Sequence, residues 1–447
     1  MDGRKARTIE IHPQKESEMN GKRTRKLGTV VGVTALLAVL AVPTSMPASA
    51  VEVPDQVLAW NQHAYDELIV TGAQAPPVAV MHLAMVHGAI YDAVNAIDGG
   101  YEPYLGAPAA DGSESRDAAA AAAAYQVLRD LLPAARDAQL DEYYAASLNA
   151  IPDGDAQNEG EDVGEAAAAA MIDERDDDGR FGEPLFTEGT GAGDWRNLVA
   201  PLDLTGNNFK WVGDVEPFLI PDAAAFATAG PLDMSSAKYA AEFAQVKALG
   251  RATGSTRNPN QTSMAHFWAD HAVAMWTRIF RQVSENQDLS TTENARYFAM
   301  LYLTGSDALI ACFQDKERHG FWRPTTAIRF AEIDGNPATI DDDGWTALLG
   351  VPPYPDHPSG HNCVSGSFVR TLRDFFGTNR MSFSAVRATS PIGRIERSFT
   401  RFSQAINEIR LARVYGGLHF MTADAQAATL GRKVANWRQA HYFQPVA

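Results

Sequence analysis

Cysteine is nearly absent from this chain: Cys312 and Cys363 are the only two in 447 residues, too few for a disulfide scaffold even in an exported protein. They could pair or stand as two buried thiols, and their spacing does not choose between these. Alternating β-branched runs are few, so a sheet-based fold is not indicated, and alanine-rich helical segments take their place. No repeat period suggests a solenoid. Beyond the first fifty residues no apolar run is read as long enough to span a bilayer. Basic residues are in deficit, 38 against 55 acidic ones. Residues 1–50 hold eight Lys and Arg against four Asp and Glu, so removing them takes the net charge from -17 to -21. That acidity argues against nucleic acid or an anionic membrane as partner.

Those first fifty residues read as a processing segment. Lys22, Arg23, Arg25 and Lys26 precede an apolar stretch over 27–42, and Ala48-Ser49-Ala50 supplies a small-residue cleavage pattern. A secretory signal cut before Val51 is expected, and with it an extracellular product. No adjacent arginine pair occurs there, which favours general export over the twin-arginine route. Met19 is a candidate start. Residues 51–447 are expected to form a single helical domain or two intimately packed halves.

Helical patterns are expected over 78–97, 118–148 with a break at Pro133, 161–174, 237–250, 263–283, 291–315, 358–376, 397–414 and 425–441. Residues 176–232 instead mix Gly, Pro, Trp and Asp without periodicity, which within a compact domain marks an ordered functional loop or a lid. The histidine pairs His82/His87 and His266/His271 are five residues apart, off a common helix face, and read as structural. Two acidic runs near Gly179 and Gly344 lack the glutamate of a calcium loop and read as solvated turns.

Pro358-Ser359-Gly360-His361 has a different character. Proline enforces a helix start, serine is a favoured N-cap, and Val364, Phe368, Leu372 and Phe375 give the helix its apolar stripe. A helix N-terminus with glycine beside it suits an oxyanion, and His361 could pass it a proton. Two other helices carry cations where apolar residues belong. Phe399, Phe402, Ile406 and Ile409 lead at helical steps to Arg413, and Gly305, Leu309 and Cys312 lead to Lys316, with Arg323 about two turns on. Buried cations need an anion, and two guanidinium forks with one ammonium suit a tetrahedral oxyanion. Gly416-Gly417 should end the Arg413 helix and bring His419 to the same place. Among three cations its imidazole is expected to be neutral, with a lone pair for phosphorus or a metal-oxo centre.

Lys316, Arg323-Pro324, Pro358-Ser359-Gly360-His361 and Arg413 with Gly417 and His419 resemble the three-part signature of vanadium-dependent haloperoxidases and type 2 phosphatidic acid phosphatases. The signature spans about 316–424. The resemblance implies an all-α fold of vanadium chloroperoxidase-like helical bundles, here with one long irregular Trp/Pro/Gly-rich loop. It implies vanadate as cofactor, held by Lys316, Arg323 and Arg413 with Ser359 and the Gly360 amide. His419 would be the axial vanadium ligand, or the phosphorylated nucleophile of a phosphatase, and His361 the acid-base residue. Two positions depart from the pattern: Ala412 replaces a serine, and Ala423 stands where an aspartate is common, with Asp424 one residue later to orient His419 or fix an arginine. Phe313 and Tyr354 occupy two further aromatic positions of the site.

The resemblance thus implies an exported enzyme whose partners are hydrogen peroxide, a halide and a small organic acceptor. The alternatives are a soluble phosphatase acting on a phosphate monoester, and an oxyanion-binding protein without catalysis.

Overall fold

The computed structural model describes residues 55–198 and 209–446; the expected signal segment lies outside the described residues. Helices are α1 Gln56–Ala64, α2 Pro76–Asp98, α3 Arg116–Leu131, α4 Asp137–Ala150, α5 Asp155–Glu174, α6 Ala237–Leu249, α7 Pro259–Phe267, α8 Ala272–Gln287, α9 Thr291–His319, α10 Pro324–Arg329, α11 Gly360–Phe375, α12 Phe402–Tyr415 and α13 Met421–His441. A two-stranded antiparallel sheet, β1 Arg380–Arg387 and β2 Ile395–Arg401, interrupts them. The fold is therefore mostly helical, as expected, with one hairpin added.

Helix α9 joins two packed groups. On one side it meets α2, which packs on α3 and α5; on the other it meets α11 and α13, with α12 against both of those. Contrary to expectation, α2 is long and apolar enough to cross a membrane, but 94% of its most apolar window is buried inside the fold. A helix that is apolar all round belongs in a large core, and α2 fills that role.

Small residues set the helix spacings. Ala118–Ala124 of α3 are fully buried, and a Cβ on Gly164 of α5 would lie 2.3 Å from the Ala119 carbonyl oxygen. The alanine run therefore makes a close-packed seam. The same device joins α11 to α13, where a Cβ on Gly431 would stand 2.0 Å from the Cys363 carbonyl oxygen. This contact holds the start of α11 against the middle of α13.

Two expected helices differ, and a third divides where expected. The stretch over 118–148 separates at Pro133, as anticipated, into α3 and α4. The one over 263–283 is two helices with a break at Trp268–His271, because His271 caps α8 by accepting from the Ala274 amide. The one over 397–414 begins as strand β2: Phe399 and Ile395 face inward while Glu396 and Thr400 do not, and Phe383 pairs with Phe399. Apolar residues at that spacing satisfy a strand followed by a helix as well as one helix.

Two 3-10 turns, Lys210–Gly213 and Ala223–Phe226, punctuate the irregular segment, which buried polar groups pin to α9. The Asp307 carboxylate accepts from the amides of Phe218, Leu219 and Ile220 at 2.7, 2.8 and 2.9 Å. Arg175, buried against Asp178, donates to the Glu216 carbonyl and stacks 3.9 Å from the Phe218 ring centre. An ordered loop here costs backbone entropy, and these bonds offset part of it.

Candidate functional site

Lys316 is the last apolar-face position of α9 before its C-terminus, and its side chain is wholly buried. Its ammonium donates to the Pro355 and Asp356 carbonyls at 2.7 and 3.2 Å. Arg323, in the loop that Pro324 ends by starting α10, donates to the Tyr354 carbonyl at 2.7 Å, the Leu418 carbonyl at 3.0 Å and the same Pro355 carbonyl at 3.3 Å. The two cations thus share one acceptor. Both also lie against the Tyr354 ring, 5.2 and 5.0 Å from its centre, and Phe313 packs on Tyr354 with ring centres 5.3 Å apart.

Arg413 comes from the last turn of α12 and is buried. One of its terminal nitrogens reaches the Trp268 carbonyl at 3.4 Å, and its Nε has no partner. Burial lowers all three cations, Lys316 to about 8 and Arg413 to about 10. Among the described residues none of the three is ion-paired with a carboxylate. An uncompensated buried cation is costly, so the pocket is built for an anion.

Gly417, at φ +77°, turns the chain after α12, and a Cβ there would lie 2.5 Å from the Gly250 carbonyl oxygen. His419 follows it into the pocket. Its Nδ1 is 2.7 Å from Asp356 Oδ1, and its Nε2 is 3.5 Å from an Arg323 terminal nitrogen. Burial, then Arg323, Lys316 and Arg413, hold the imidazole well below its usual range. A neutral ring that donates from Nδ1 to a carboxylate leaves its Nε2 lone pair toward the cations. Burial pushes Asp356 up to about 7 against the pull of Arg323 and Lys316.

Helix α11 supplies the oxyanion turn. Ser359 occupies the N-cap position but does not cap the helix; its Oγ accepts from Asn362 Nδ2 at 3.2 Å. The helix end is left open to a ligand. A Cβ on Gly360 would meet nothing nearer than Leu309 and Phe313, both at 3.9 Å. The space in front of this glycine is therefore free of protein. His361 has an unpartnered Nε2, while the ring also senses the Asp270 carbonyl, and burial followed by Arg413 keeps it well below its usual range.

The structure thus brings Lys316, Arg323, Ser359, Gly360, His361, Arg413 and His419 to one pocket, with Phe313 and Tyr354 on its wall. Asp424 makes no bond to His419. It accepts from Asn362 Nδ2 at 2.7 Å, and its charge acts on Arg413. Asp356 and Asn362 were missed by sequence reasoning, as were the Trp268 and Asp270 carbonyls. For Asp356 the only signal was its place two residues before Pro358. The two thiols are free and buried in this structure.

The structure is thus a helical-bundle protein in which three buried cations stand with two neutral imidazoles. The family described as the VCPO second helical-bundle domain matches residues 296–447. Vanadium chloroperoxidase of Curvularia inaequalis is 25% identical over a 146-residue alignment, with 27% of this chain and 23% of that protein covered. The chain therefore spans under a quarter of the length of the curated relative it matches. A bacterial vanadium-dependent iodoperoxidase structure is similar with a TM-score of 0.75 at 22% identity, covering 89% of this chain and 98% of that one. A holo bacterial vanadium-dependent chloroperoxidase gives 0.66 at 17% identity, covering 82% and 92%. Residues 296–447 thus match a vanadium chloroperoxidase domain family, and the fold of the chain is similar to that of bacterial vanadium-dependent haloperoxidases.

Proposed function

We propose that this protein is an exported vanadate-dependent haloperoxidase, which oxidises a halide with hydrogen peroxide for transfer to a small organic acceptor. The observation that carries this reading is the gathering of three buried cations, none ion-paired with a carboxylate among the described residues, about a neutral His419 whose Nε2 faces Arg323. Vanadate suits that donor set: the unpartnered Arg413 Nε and His361 Nε2 and the open space before Gly360 are features an oxyanion would use. When bound, vanadate supplies a Lewis-acidic centre that activates peroxide toward halide.

In this reading Lys316, Arg323 and Arg413 would neutralise the anion's oxygens, the Gly360 amide and Ser359 hydroxyl would donate to it, and His419 Nε2 would be its ligand. Asp356 keeps the proton of His419 on Nδ1. His361 Nε2 would accept and give back a proton beside the bound anion. Phe313 and Tyr354 keep the cations out of bulk water, where their attraction for the anion would be screened.

The test uses the mature chain stripped of metal. Vanadate-dependent oxidation of bromide by peroxide is expected. Hydrolysis of an aryl phosphate that vanadate inhibits would assign the pocket to a phosphatase instead, and anion binding with neither activity would leave an oxyanion-binding protein. Export is supported by the basic, apolar and small-residue succession over 22–50, and is tested by sequencing the N-terminus of the secreted product, expected at Val51.

A further inference from the structure

Asp315, next to Lys316 in the chain, and His357, next to Asp356, belong to a second cluster of ligating groups. Asp315 and His319 lie one turn apart at the end of α9, and His357 enters from the loop before α11. One ligand atom from each lies within 4.8 Å of the other two. Asp315 is 2% exposed and His357 1%. The Asp315 Oδ2 side is satisfied, accepting from the Thr228 amide at 2.9 Å and its hydroxyl at 2.5 Å, and that hydroxyl is 2.8 Å from His357 Nε2.

The other side is not satisfied. Asp315 Oδ1 and His319 Nε2 stand 3.4 Å apart, and neither has a hydrogen bond. Arg318 stands 3.5 Å from Asp315 on a side chain 44% exposed and free to swing outward, and Lys316 also acts on His357. Ligand atoms on a tetrahedral zinc ion with bonds of about 2.0–2.1 Å stand about 3.3–3.4 Å apart. The Asp315–His319 edge already has that length. His319 also lines a surface cavity with Glu188, Asp194 and Glu317, an acidic mouth that favours a cation's approach.

We infer that Asp315, His319 and His357 form a site for a zinc-class divalent cation, separate from the oxyanion pocket, with its fourth position left to water. One carboxylate and two imidazoles are a donor set for zinc or a similar first-row ion. The ion clamps three parts of the chain: the end of α9 that carries Lys316, the loop that carries Asp356, and, through Thr228, the irregular segment. Its role is to fix these elements rather than to take part in the oxidation.

The experiment uses the full mature chain after chelator treatment, probed with zinc by calorimetry and with cobalt by visible absorption. One equivalent of zinc, the intense bands of low-coordinate cobalt and a higher Tm with saturating zinc are expected. His319→Ala and His357→Ala should each lose the cobalt bands and at least tenfold in zinc affinity. If His357→Ala does not fold, His319→Ala decides alone, since that side chain is partly exposed at a helix end. No zinc uptake by the parent chain would overturn the inference. So would uptake unchanged in His319→Ala, or uptake lost in His419→Ala but kept in His319→Ala, which would place the ion in the oxyanion pocket.

Discussion

Asp356 Oδ1 lies 2.7 Å from His419 Nδ1, and the two side chains are 1% and 2% exposed. A carboxylate can only accept from the ring, so it holds the proton on Nδ1 and leaves Nε2 as a lone pair. An amide in its place can turn its NH2 toward Nδ1 and move the proton to Nε2. Asp356→Asn should therefore weaken vanadate binding about 10–100-fold, as loss of an outer partner to a ligating histidine does. Equilibrium dialysis with vanadate checks this, and affinity equal to the parent's would remove Asp356 from the site.

Gly360 offers a separation of fold from function. Because an added methyl would meet only Leu309 and Phe313 at 3.9 Å, the protein alone tolerates it, and exchanging glycine for alanine in a helix favours folding by up to ~1 kcal/mol. Gly360→Ala should keep or raise Tm while losing at least about tenfold in vanadate affinity, through steric exclusion at the anion's approach. A variant that binds as tightly as the parent would move the anion away from this turn.

For His361 the expected split is between binding and turnover. Removing a positioned proton carrier typically costs about 10²–10⁴-fold in rate, while the three cations that hold the anion remain. His361→Ala should lower kcat for bromide oxidation by that order and change vanadate affinity by no more than a few-fold. Equal losses in both would make the ring a binding group.

The pH dependence of stability has a traceable contributor. His87 is fully buried, with its Nε2 bound to Asn61 at 2.8 Å, and burial lowers it to about 3. A group lowered on folding from 6.5 contributes stability that is complete above 6.5 and is lost as pH falls toward 3. The loss from this one ring is about 1.4 kcal/mol per pH unit, or about 2 kcal/mol between pH 6.5 and 5. His87→Gln, which cannot titrate, should cost about 2 kcal/mol less stability at pH 5 than at pH 7 in denaturant unfolding. A cost independent of pH would mean the ring is already charged in the fold.

Much of the pocket was legible because its chemistry conflicts with its surroundings. Lys316 and Arg413 stand at the ends of apolar stripes, where only an unusual partner makes a cation tolerable, and Gly360 precedes a histidine at an enforced helix start. What stayed hidden depends on contacts far apart in sequence. Asp356 is one of many aspartates until the fold sets it beside His419, 63 residues on. The break at Trp268–His271 gives carbonyls to Arg413 and His361, yet a capping histidine is a weak local sign. The hairpin of β1 and β2 did leave alternation in its sequence, but Phe399 and Phe402 also fitted a helical step.

The alanine and glycine seam between α3 and α5 bears on how this protein could be altered. Helices that touch backbone to backbone leave no slack for a larger side chain, so one added methyl at Gly164 must push apart the group that supports α2, and α2 supports α9. Libraries of variants should leave that seam untouched and vary instead exposed positions of the irregular segment, keeping the amides that Asp307 of α9 holds.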